Sequence, residues 1–313
     1  MSRRRKGRDV HGIVLLDKPA GFSSNQATQK VRWLFRARKA GHTGSLDPFA
    51  TGMLPICLGE ASKTAGFMLN ASKTYLARAL LGQATVTGDI EGEVSATAPV
   101  PELDREGVAA ELARFVGPIQ QVPPMYSALK HEGQPLYRLA RAGRQVERAA
   151  REVTIHALEL VAWEPPALTF RVRCSKGTYV RTLAEDIALQ MGSCAHLVAL
   201  RRLAVEPFQE PQMVSLPQLE EQAREGTIDQ CLLPPDAGLA DWPLLRLDPD
   251  AMRRFAHGNP VAGAGAGSKA GPVRVYGPGD LLLGLGEVTA DGTLRAKRLM
   301  NLAPPPRPPE TDK

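Results

Sequence analysis

The chain has 313 residues, of which 43% are hydrophobic, and no unbroken apolar run is long enough to span a bilayer as a helix. This length exceeds the usual size of one domain, so we expect a large domain and a smaller one. The formal net charge of +6 favours a polyanionic partner.

The cysteines and histidines show no spacing typical of metal ligands. No C-x-x-C pair occurs, and none of the six histidines belongs to an H-E-x-x-H motif. Because the chain also shows no N-terminal apolar signal segment, we expect a cytoplasmic protein with reduced thiols and no metal site. The four cysteines are Cys57, Cys174, Cys194 and Cys231.

The N-terminal region is basic. "SRRRKGR" predicts a disordered tail over residues 1–9, and "GIVLLDKP" predicts an apolar strand that leads into a turn. Ser23 and Gln26 then form a capping box that opens a helix. Its polar faces carry five cations, which either grip phosphate or are simply solvated. They are Lys30, Arg32, Arg36, Arg38 and Lys39.

The segment after this helix, "GHTGSLDPFATGMLPICLGEASK", encloses one carboxylate, Asp47, among glycines. Asp in a turn often bonds only its own backbone. The density of Gly41, Gly44 and Gly52 favours another interpretation, because glycine permits close backbone approach and unusual φ angles. We therefore predict a shaped loop that presents Asp47 to a ligand.

Further along, strand and helix patterns alternate without a regular βαβ rhythm. "KTYLARALLG" alternates as a strand, and Asp104 caps a short helix. "LTFRVRCSKGTYVRT" predicts a strand that reaches a helix through a capping box formed by Thr182 and Glu185. The pattern predicts a mixed α+β fold.

Tyr179 and Arg181 are two residues apart, so in an extended strand both side chains point to one face. If that face meets the glycine-rich loop, Arg181 can pair with Asp47 through two hydrogen bonds and keep the carboxylate ionised. The alternative is that Arg181 pairs with Glu185 or Asp186 on the next helix. Spacing alone leaves both open.

Several blocks carry a resemblance to a known family. The Asp47 segment is followed in order by "KTY", "PPMYSALKHEGQPLYRLARAGRQVERAAREVTI", "CSKGTYVRTLAEDIA" and "LRRL". Together these blocks resemble the bacterial TruB family of tRNA pseudouridine synthases, from about residue 12 to residue 203, and the end of the chain resembles the small PUA-type RNA-binding domain of that family.

The resemblance implies an α+β fold, in which a mixed, largely antiparallel sheet of pseudouridine-synthase type carries a thumb-like insertion and precedes a small β-rich, PUA-like domain. We expect the catalytic domain at residues 10–245, with the insertion at about 123–151. The PUA-like domain is expected at 246–303, and a Pro-rich disordered tail at 304–313.

The implied activity is the isomerisation of uridine 55 in the T loop of tRNA to pseudouridine. The base is detached from C1′, turned and rejoined through C5, so we expect neither cofactor nor metal. The expected partner is the T arm of tRNA, and the enzyme is expected to act as a monomer without a guide RNA. The base must be flipped out of its stack before it can react.

The resemblance also assigns roles to residues. Asp47 matches the catalytic nucleophile, Tyr75 the tyrosine that stacks on the flipped base, and Arg181 the arginine that pairs with the aspartate. Tyr179 and Leu200 match positions that wall the uracil, and His42 matches a histidine that fills the space left by flipped nucleotides. Six further cations are expected to bind RNA, namely Lys18, Lys63, Lys130, Lys176, Arg141 and Arg144.

One departure and three alternatives remain. In "TVTGD", Val86 stands where the family often has an acid, whereas Asp89 is present. An RNA-binding chaperone without chemistry would explain the positive charge but not the Asp47 block. A guide-dependent pseudouridine synthase would share the loop but not the bacterial insertion. A hydrolase with an Asp nucleophile is not supported by any D-x-D pair.

Overall fold

The computed structural model describes residues 7–265 and 267–302. The tail predicted at 304–313 lies outside these residues, as does most of the tail predicted at 1–9.

Seventeen strands occur in the described part of the chain. The first nine are β1 (Gly12–Lys18), β2 (Ala40–His42), β3 (Thr51–Leu58), β4 (Lys73–Leu81), β5 (Gln83–Thr85), β6 (Val94–Thr97), β7 (Gly117–Gln121), β8 (Lys130–His131) and β9 (Gln134–Pro135). The remaining eight are β10 (Arg151–Glu164), β11 (Ala167–Cys174), β12 (Ala195–Val205), β13 (Val214–Ser215), β14 (Leu244–Arg246), β15 (Gly271–Tyr276), β16 (Leu282–Val288) and β17 (Leu294–Leu299).

The same described residues form seven α-helices. They are α1 (Ser24–Leu34), α2 (Ala65–Asn70), α3 (Arg105–Ala113), α4 (Leu136–Arg141), α5 (Val180–Gln190), α6 (Leu216–Glu225) and α7 (Pro249–Ala256).

The large sheet has nine strands in the order β13-β1-β3-β12-β4-β11-β10-β7, with β2 added to β3. The pairs β13–β1 and β12–β3 are parallel. The other neighbours in the sheet are antiparallel. The fold is therefore α+β with a mixed, largely antiparallel sheet, as predicted.

The helices begin where the sequence provides caps. Ser23 accepts a hydrogen bond from the backbone of Gln26 and completes the predicted capping box of α1, and Asp104 caps α3 as predicted. Helices α3 and α5 cover one part of the sheet, with Leu112 and Leu183 in a shared apolar core. Helices α1 and α6 cover another, with Val31 and Leu219 buried in a second core.

The prediction for the region around Arg181 was wrong in one respect. The strand ends at Cys174, and Tyr179 is the residue that precedes α5, so Arg181 lies in the first turn of a helix rather than on a strand. The predicted capping box of Thr182 and Glu185 is absent because both residues are inside α5. The chain turns through Ser175–Lys176–Gly177, where Gly177 has a φ of +81°.

Residues 122–150 leave the sheet after β7 and return to it at β10, which is the neighbour of β7. They contain the hairpin β8–β9 and the short helix α4, whose Leu136 and Leu139 are buried. The remainder is irregular and largely exposed.

The C-terminal strands form a separate four-stranded sheet in the order β14-β15-β16-β17, packed with α7 around Phe255, Val275 and Leu283. This small β-rich unit touches the larger one. The Lys63 ammonium donates to the carbonyl of Leu299 (2.7 Å), and the backbone of Asn301 donates to Glu60 (2.7 Å).

Candidate active site

Asp47 lies on the loop between β2 and β3, and this loop is anchored on both sides. The hydroxyl of Ser24, at the start of α1, donates to the carbonyl of Leu46 and accepts from its amide. The amide of Ala50 bonds the carbonyl of Asp47 at 3.1 Å, which closes a turn. The loop therefore holds Asp47 in a defined position, with its side chain 36% exposed.

Arg181 pairs with Asp47 through two hydrogen bonds. Its Nε lies 3.0 Å from Oδ2 and its Nη2 lies 3.3 Å from Oδ1. Such a bidentate pair fixes the orientation of a carboxylate as well as its charge. Of the two partners left open by the sequence, the structure selects the loop carboxylate and not Glu185 or Asp186.

Arg181 is itself held from behind. Its side chain is only 4% exposed, and it also contacts the equally buried carboxylate of Asp89 at 3.5 Å. The carbonyls of Thr87 and Tyr126 accept from its two terminal nitrogens at 2.5 and 2.8 Å. Every group around the guanidinium is therefore an acceptor, which makes its position rigid.

Opposing effects act on the Asp47 carboxyl. Burial raises its pKa above the ordinary value, the guanidinium of Arg181 lowers it, and the negative charge of Asp89 raises it again. The net direction is upward. The charge of Lys18 is a smaller influence that favours the ionised form.

Lys18, which the family resemblance places among the RNA-binding residues, is enclosed by protein in the structure. The side chain is fully buried, and its ammonium donates to the carbonyls of Pro19, Phe22 and Pro48. Burial lowers its pKa to about 8. Lys18 therefore stabilises the Asp47 loop through the carbonyl of Pro48. Its ammonium could bind a phosphate only after breaking its hydrogen bonds to the three carbonyls.

Arg202 performs a similar task on the other side of the loop. It is almost fully buried and donates to the carbonyls of Met53 (2.6 Å), Ser45 (3.4 Å) and Gly44 (3.1 Å). Sequence reasoning did not select Arg202, although it lies in the quoted "LRRL" block. The sequence analysis noted only that Asp89 is present in "TVTGD". Its contact with Arg181 could not be predicted, because the two residues are far apart in the sequence.

Tyr75 and Leu200 come together beside this loop. Tyr75 is on β4 and Leu200 on the adjacent strand β12, and both pack in the core that includes Leu46 of the Asp47 loop and Phe49. Burial raises the pKa of Tyr75, opposed by the charge of Arg202, so its hydroxyl stays protonated at neutral pH. An aromatic ring and an aliphatic side chain thus lie near the carboxylate.

Tyr179 and His42 occupy the borders of the site. Gln121 bonds both the amide (3.1 Å) and the carbonyl (3.3 Å) of Tyr179, which ties the start of α5 to β7. His42 is on β2, and its buried Nδ1 has no hydrogen-bond partner among the described residues. Burial, together with Arg202, lowers the pKa of His42, so the imidazole is neutral near pH 7.

The other predicted RNA-binding residues are scattered over the surface. Lys63 forms an ion pair with Glu60, in addition to its hydrogen bond to the carbonyl of Leu299. Lys176 is exposed and donates to Asn70 (2.8 Å). Lys130, Arg141 and Arg144 lie between β7 and β10, where all three are exposed. These residues are not part of the Asp47 cluster.

The described residues contain neither a metal-binding cluster nor a helix that could span a membrane. Within residues 7–265 and 267–302, no three His, Cys, Asp or Glu side chains are grouped so as to hold a metal ion. Over the same residues, no helix combines the length and apolar character needed to cross a membrane.

Comparison with known sequences identifies the family. The family model described as "TruB family pseudouridylate synthase (N terminal domain)" matches residues 32–180. The chain is 51% identical over 300 residues to tRNA pseudouridine synthase B of Pseudomonas aeruginosa, covering 95% of this chain and 98% of that protein. The chain belongs to the TruB family of pseudouridylate synthases.

Other matches agree with this TruB membership. Residues 181–240 match "tRNA pseudouridylate synthase B C-terminal domain", and residues 243–300 match "Pseudouridine synthase II TruB, C-terminal". The relative named tRNA pseudouridine synthase B from Nitrosococcus oceani is 51% identical over 300 residues, covering 95% of this chain and 97% of its own. This TruB protein is therefore an isomerase of the pseudouridine synthase class.

Solved structures share the fold. A chain from a Cbf5-Nop10-Gar1 complex has a TM-score of 0.70 at 24% identity, with 92% of this chain and 84% of that chain covered. A chain from an H/ACA RNP bound to a substrate RNA containing 2′-deoxyuridine has a TM-score of 0.71 at 21% identity, with 96% and 92% covered. At these identities the likeness concerns the fold alone.

Proposed function

We propose that this protein isomerises uridine 55 in the T loop of tRNA to pseudouridine, with Asp47 as the nucleophile. The observation that carries the proposal is the bidentate contact between Arg181 and Asp47 on a loop anchored by Ser24, Lys18 and Arg202. A carboxylate nucleophile must be ionised and correctly oriented. The Arg181 guanidinium favours the ionised form against the effect of burial, and its two hydrogen bonds fix the orientation. Relatives that are about 50% identical over nearly the whole chain are named tRNA pseudouridine synthase B, which supports tRNA as the substrate.

The chemistry needs one carboxylate. The N1–C1′ bond of uridine breaks, the C5–C1′ bond forms, C5 loses a proton and N1 gains one. Attack on C1′, addition to C6 of the ring and abstraction of a ribose proton all begin from an ionised Asp47, so the same geometry serves each. In the C1′ routes the carboxylate stabilises oxocarbenium character at the sugar, as in glycosidases.

The surrounding residues suit a flipped base. We propose that the ring of Tyr75 stacks on the uracil, that Leu200 and Tyr179 enclose it, and that the neutral His42 occupies the space that the flipped nucleotides leave. Stacking on an aromatic side chain contributes roughly 1 to 3 kcal/mol per base. That free energy offsets part of the cost of unstacking the base from the loop.

Recognition of the T arm is proposed to be direct. Lys130, Lys176, Arg141 and Arg144 are exposed cations that are placed to contact its phosphates. We propose that the enzyme works as a cytoplasmic monomer without a guide RNA, and that the chain divides into a catalytic domain at 10–245, including the insertion at about 123–151, and a PUA-like RNA-binding domain at 246–303.

Tritium release tests the proposal. A T-arm RNA labelled at C5 of uridine is incubated with the protein or with Asp47→Asn, without a guide RNA. The protein is expected to release the label from position 55 alone, and an RNA with cytidine at that position serves as the control. Asp47→Asn is expected to bind the RNA and release nothing.

Two results would contradict the proposal. Equal release by both proteins would remove Asp47 from the chemistry. Binding without release by either protein would favour a folding chaperone or an enzyme that needs a guide.

A further inference from the structure

A groove of about 1030 Å³ opens between the C-terminal half of α1 and helix α6, away from the Asp47 cluster. Trp33, in the last turn of α1, is 69% exposed on its wall. An exposed indole of this extent is unusual, because tryptophan is highly buried on average. The groove also has no role in holding the Asp47 loop.

The charge of the groove is strongly positive. Among the residues that the structure describes, four cations line it and Glu220 is its one acid. Glu220 is already paired with Lys30 (2.7 Å), which in turn lies over the Trp33 ring at 5.2 Å. Within residues 7–265 and 267–302, neither Arg32 nor Arg36 forms an ion pair. The cations are Lys30, Arg32, Arg36 and Arg224.

Arg36 adds a second observation. It has a φ of +49°, the left-handed conformation that follows many helix ends and is normally taken by glycine. Local hydrogen bonds hold it there, with its amide donating to the carbonyl of Trp33 (2.9 Å) and its carbonyl accepting from Arg8 (2.6 Å). An arginine thus occupies a position where glycine would be relaxed, and it lines the groove.

We infer that this groove is a second RNA-binding site, in which an unpaired base stacks on Trp33 while Arg32, Arg36 and Arg224 contact the flanking phosphates. Aromatic rings among cations are the pattern by which proteins hold single-stranded RNA. The positive charge of the groove favours a polyanionic ligand, and RNA is the polyanion that an enzyme acting on RNA binds in each catalytic cycle.

The base belongs to a part of the tRNA outside the T arm. Trp33 is nine residues beyond Ser24, which anchors the Asp47 loop, so it lies roughly 14 Å further along the helix axis. The T-loop nucleotides are occupied at Asp47, and the paired bases of the T stem cannot stack on a side chain. This inference rests on the proposed function only in taking tRNA as the substrate.

The test compares two RNAs, a full-length tRNA transcript and a T-arm hairpin. Trp33→Ala is expected to weaken binding of the full-length RNA at least about 5-fold, and Trp33→Phe to retain most of the affinity. Arg36→Gly removes the charge but suits the backbone, and is expected to lower the salt dependence of full-length binding by roughly 0.7 in log–log slope. All three variants are expected to bind the hairpin normally.

The controls separate this inference from the proposed function. Arg114→Ala removes an exposed charge that is paired with Glu111 outside the groove, and should leave binding of both RNAs unchanged. Full-length RNA should protect an exposed tryptophan from acrylamide quenching in the wild-type protein, and this protection should be missing in Trp33→Phe. Wild-type affinity of Trp33→Ala for the full-length RNA, together with protection from quenching that persists in Trp33→Phe, would overturn the inference and would favour an acidic protein or a second copy as the occupant of the groove. Failure of the proposed function would instead appear as absent tritium release from the hairpin by the wild-type protein.

Discussion

The guanidinium of Arg181 meets the carboxylate of Asp47 through two hydrogen bonds, although 134 positions separate the two residues in the chain. The contact joins the first turn of α5 to the loop between β2 and β3. The Arg181 side chain is buried, whereas the Asp47 side chain is partly exposed. The arginine therefore fixes the carboxylate while leaving it accessible to a substrate.

Replacing Arg181 with lysine is expected to reduce turnover about 100-fold, because a point charge cannot fix both carboxylate oxygens. Burial already raises the pKa of Asp47, and Arg181 opposes that shift. Loss of the bidentate contact therefore raises the pKa further. Since the ionised form reacts, the acidic limb of the turnover–pH profile should move to higher pH. An unshifted limb would show that Arg181 does not tune Asp47.

Two substitutions at Tyr75 distinguish the role of its ring from the role of its hydroxyl. Tyr75→Leu removes the stacking surface and should lower kcat/KM by roughly 5-fold to 150-fold. Tyr75→Phe keeps the ring, so the base should still be flipped, and a slow step should appear only if the hydroxyl helps to remove the C5 proton. Tritium release and RNA affinity are measured for both variants. Equal defects in RNA affinity for Leu and Phe would contradict the stacking role.

Gly52, at the base of the Asp47 loop, has no space for a side chain. An added Cβ would lie 2.2 Å from the carbonyl oxygen of Arg202, and the φ of +97° is unfavourable for other residues. Gly52→Ala is therefore expected to lower the free energy of unfolding by about 2 to 3 kcal/mol. Gly41→Ala is the matched control, since no atom lies within 4 Å of its added Cβ. Urea denaturation of the two variants should differ clearly, and equal stabilities would show that the β3–β12 contact can relax.

The buried ammonium of Lys18 should give stability a measurable pH dependence. Its pKa is lowered to about 8, below the ordinary value of 10.5, so between these pH values the unfolded chain binds more protons than the folded one. Stability should therefore gain a positive contribution as pH rises from 8 to 10.5. Lys18→Met removes this contribution. Denaturant midpoints of the two proteins at pH 7.5 and pH 10 measure the difference, which should grow in favour of the wild type, and a constant difference would exclude a shifted Lys18.

The salt dependence of RNA binding distinguishes buried from exposed cations. Lys176→Met should reduce the slope of log affinity against log salt by roughly 0.7 to 0.9, as expected for one lost phosphate contact. Lys18→Met should leave the slope unchanged, because its ammonium is enclosed by protein carbonyls. A smaller slope for Lys18→Met and an unchanged slope for Lys176→Met would instead assign the phosphate contact to Lys18.

Local signals in the sequence were reliable where the cause was local. The capping box at Ser23, the cap at Asp104 and the strand that contains Tyr75 all form as expected, because each depends on neighbours within a few residues. The prediction failed after Cys174, where a turn at Gly177 and an early start of α5 replace an extended strand. There the tertiary contacts of Arg181 favour a helical position over the extended one.

The sequence by itself determined the family, the α+β class and the loop that carries Asp47, because glycine spacing, caps and ordered motif blocks are properties of short segments. Only the tertiary structure decided which charges meet. From the sequence, Arg181 could have paired with Glu185 or Asp186 on its own helix, and Lys18 could have been exposed. No sequence pattern indicated a role for Arg202. Each is settled by strand pairings that bring distant residues together and by burial, which requires every polar group to find a partner.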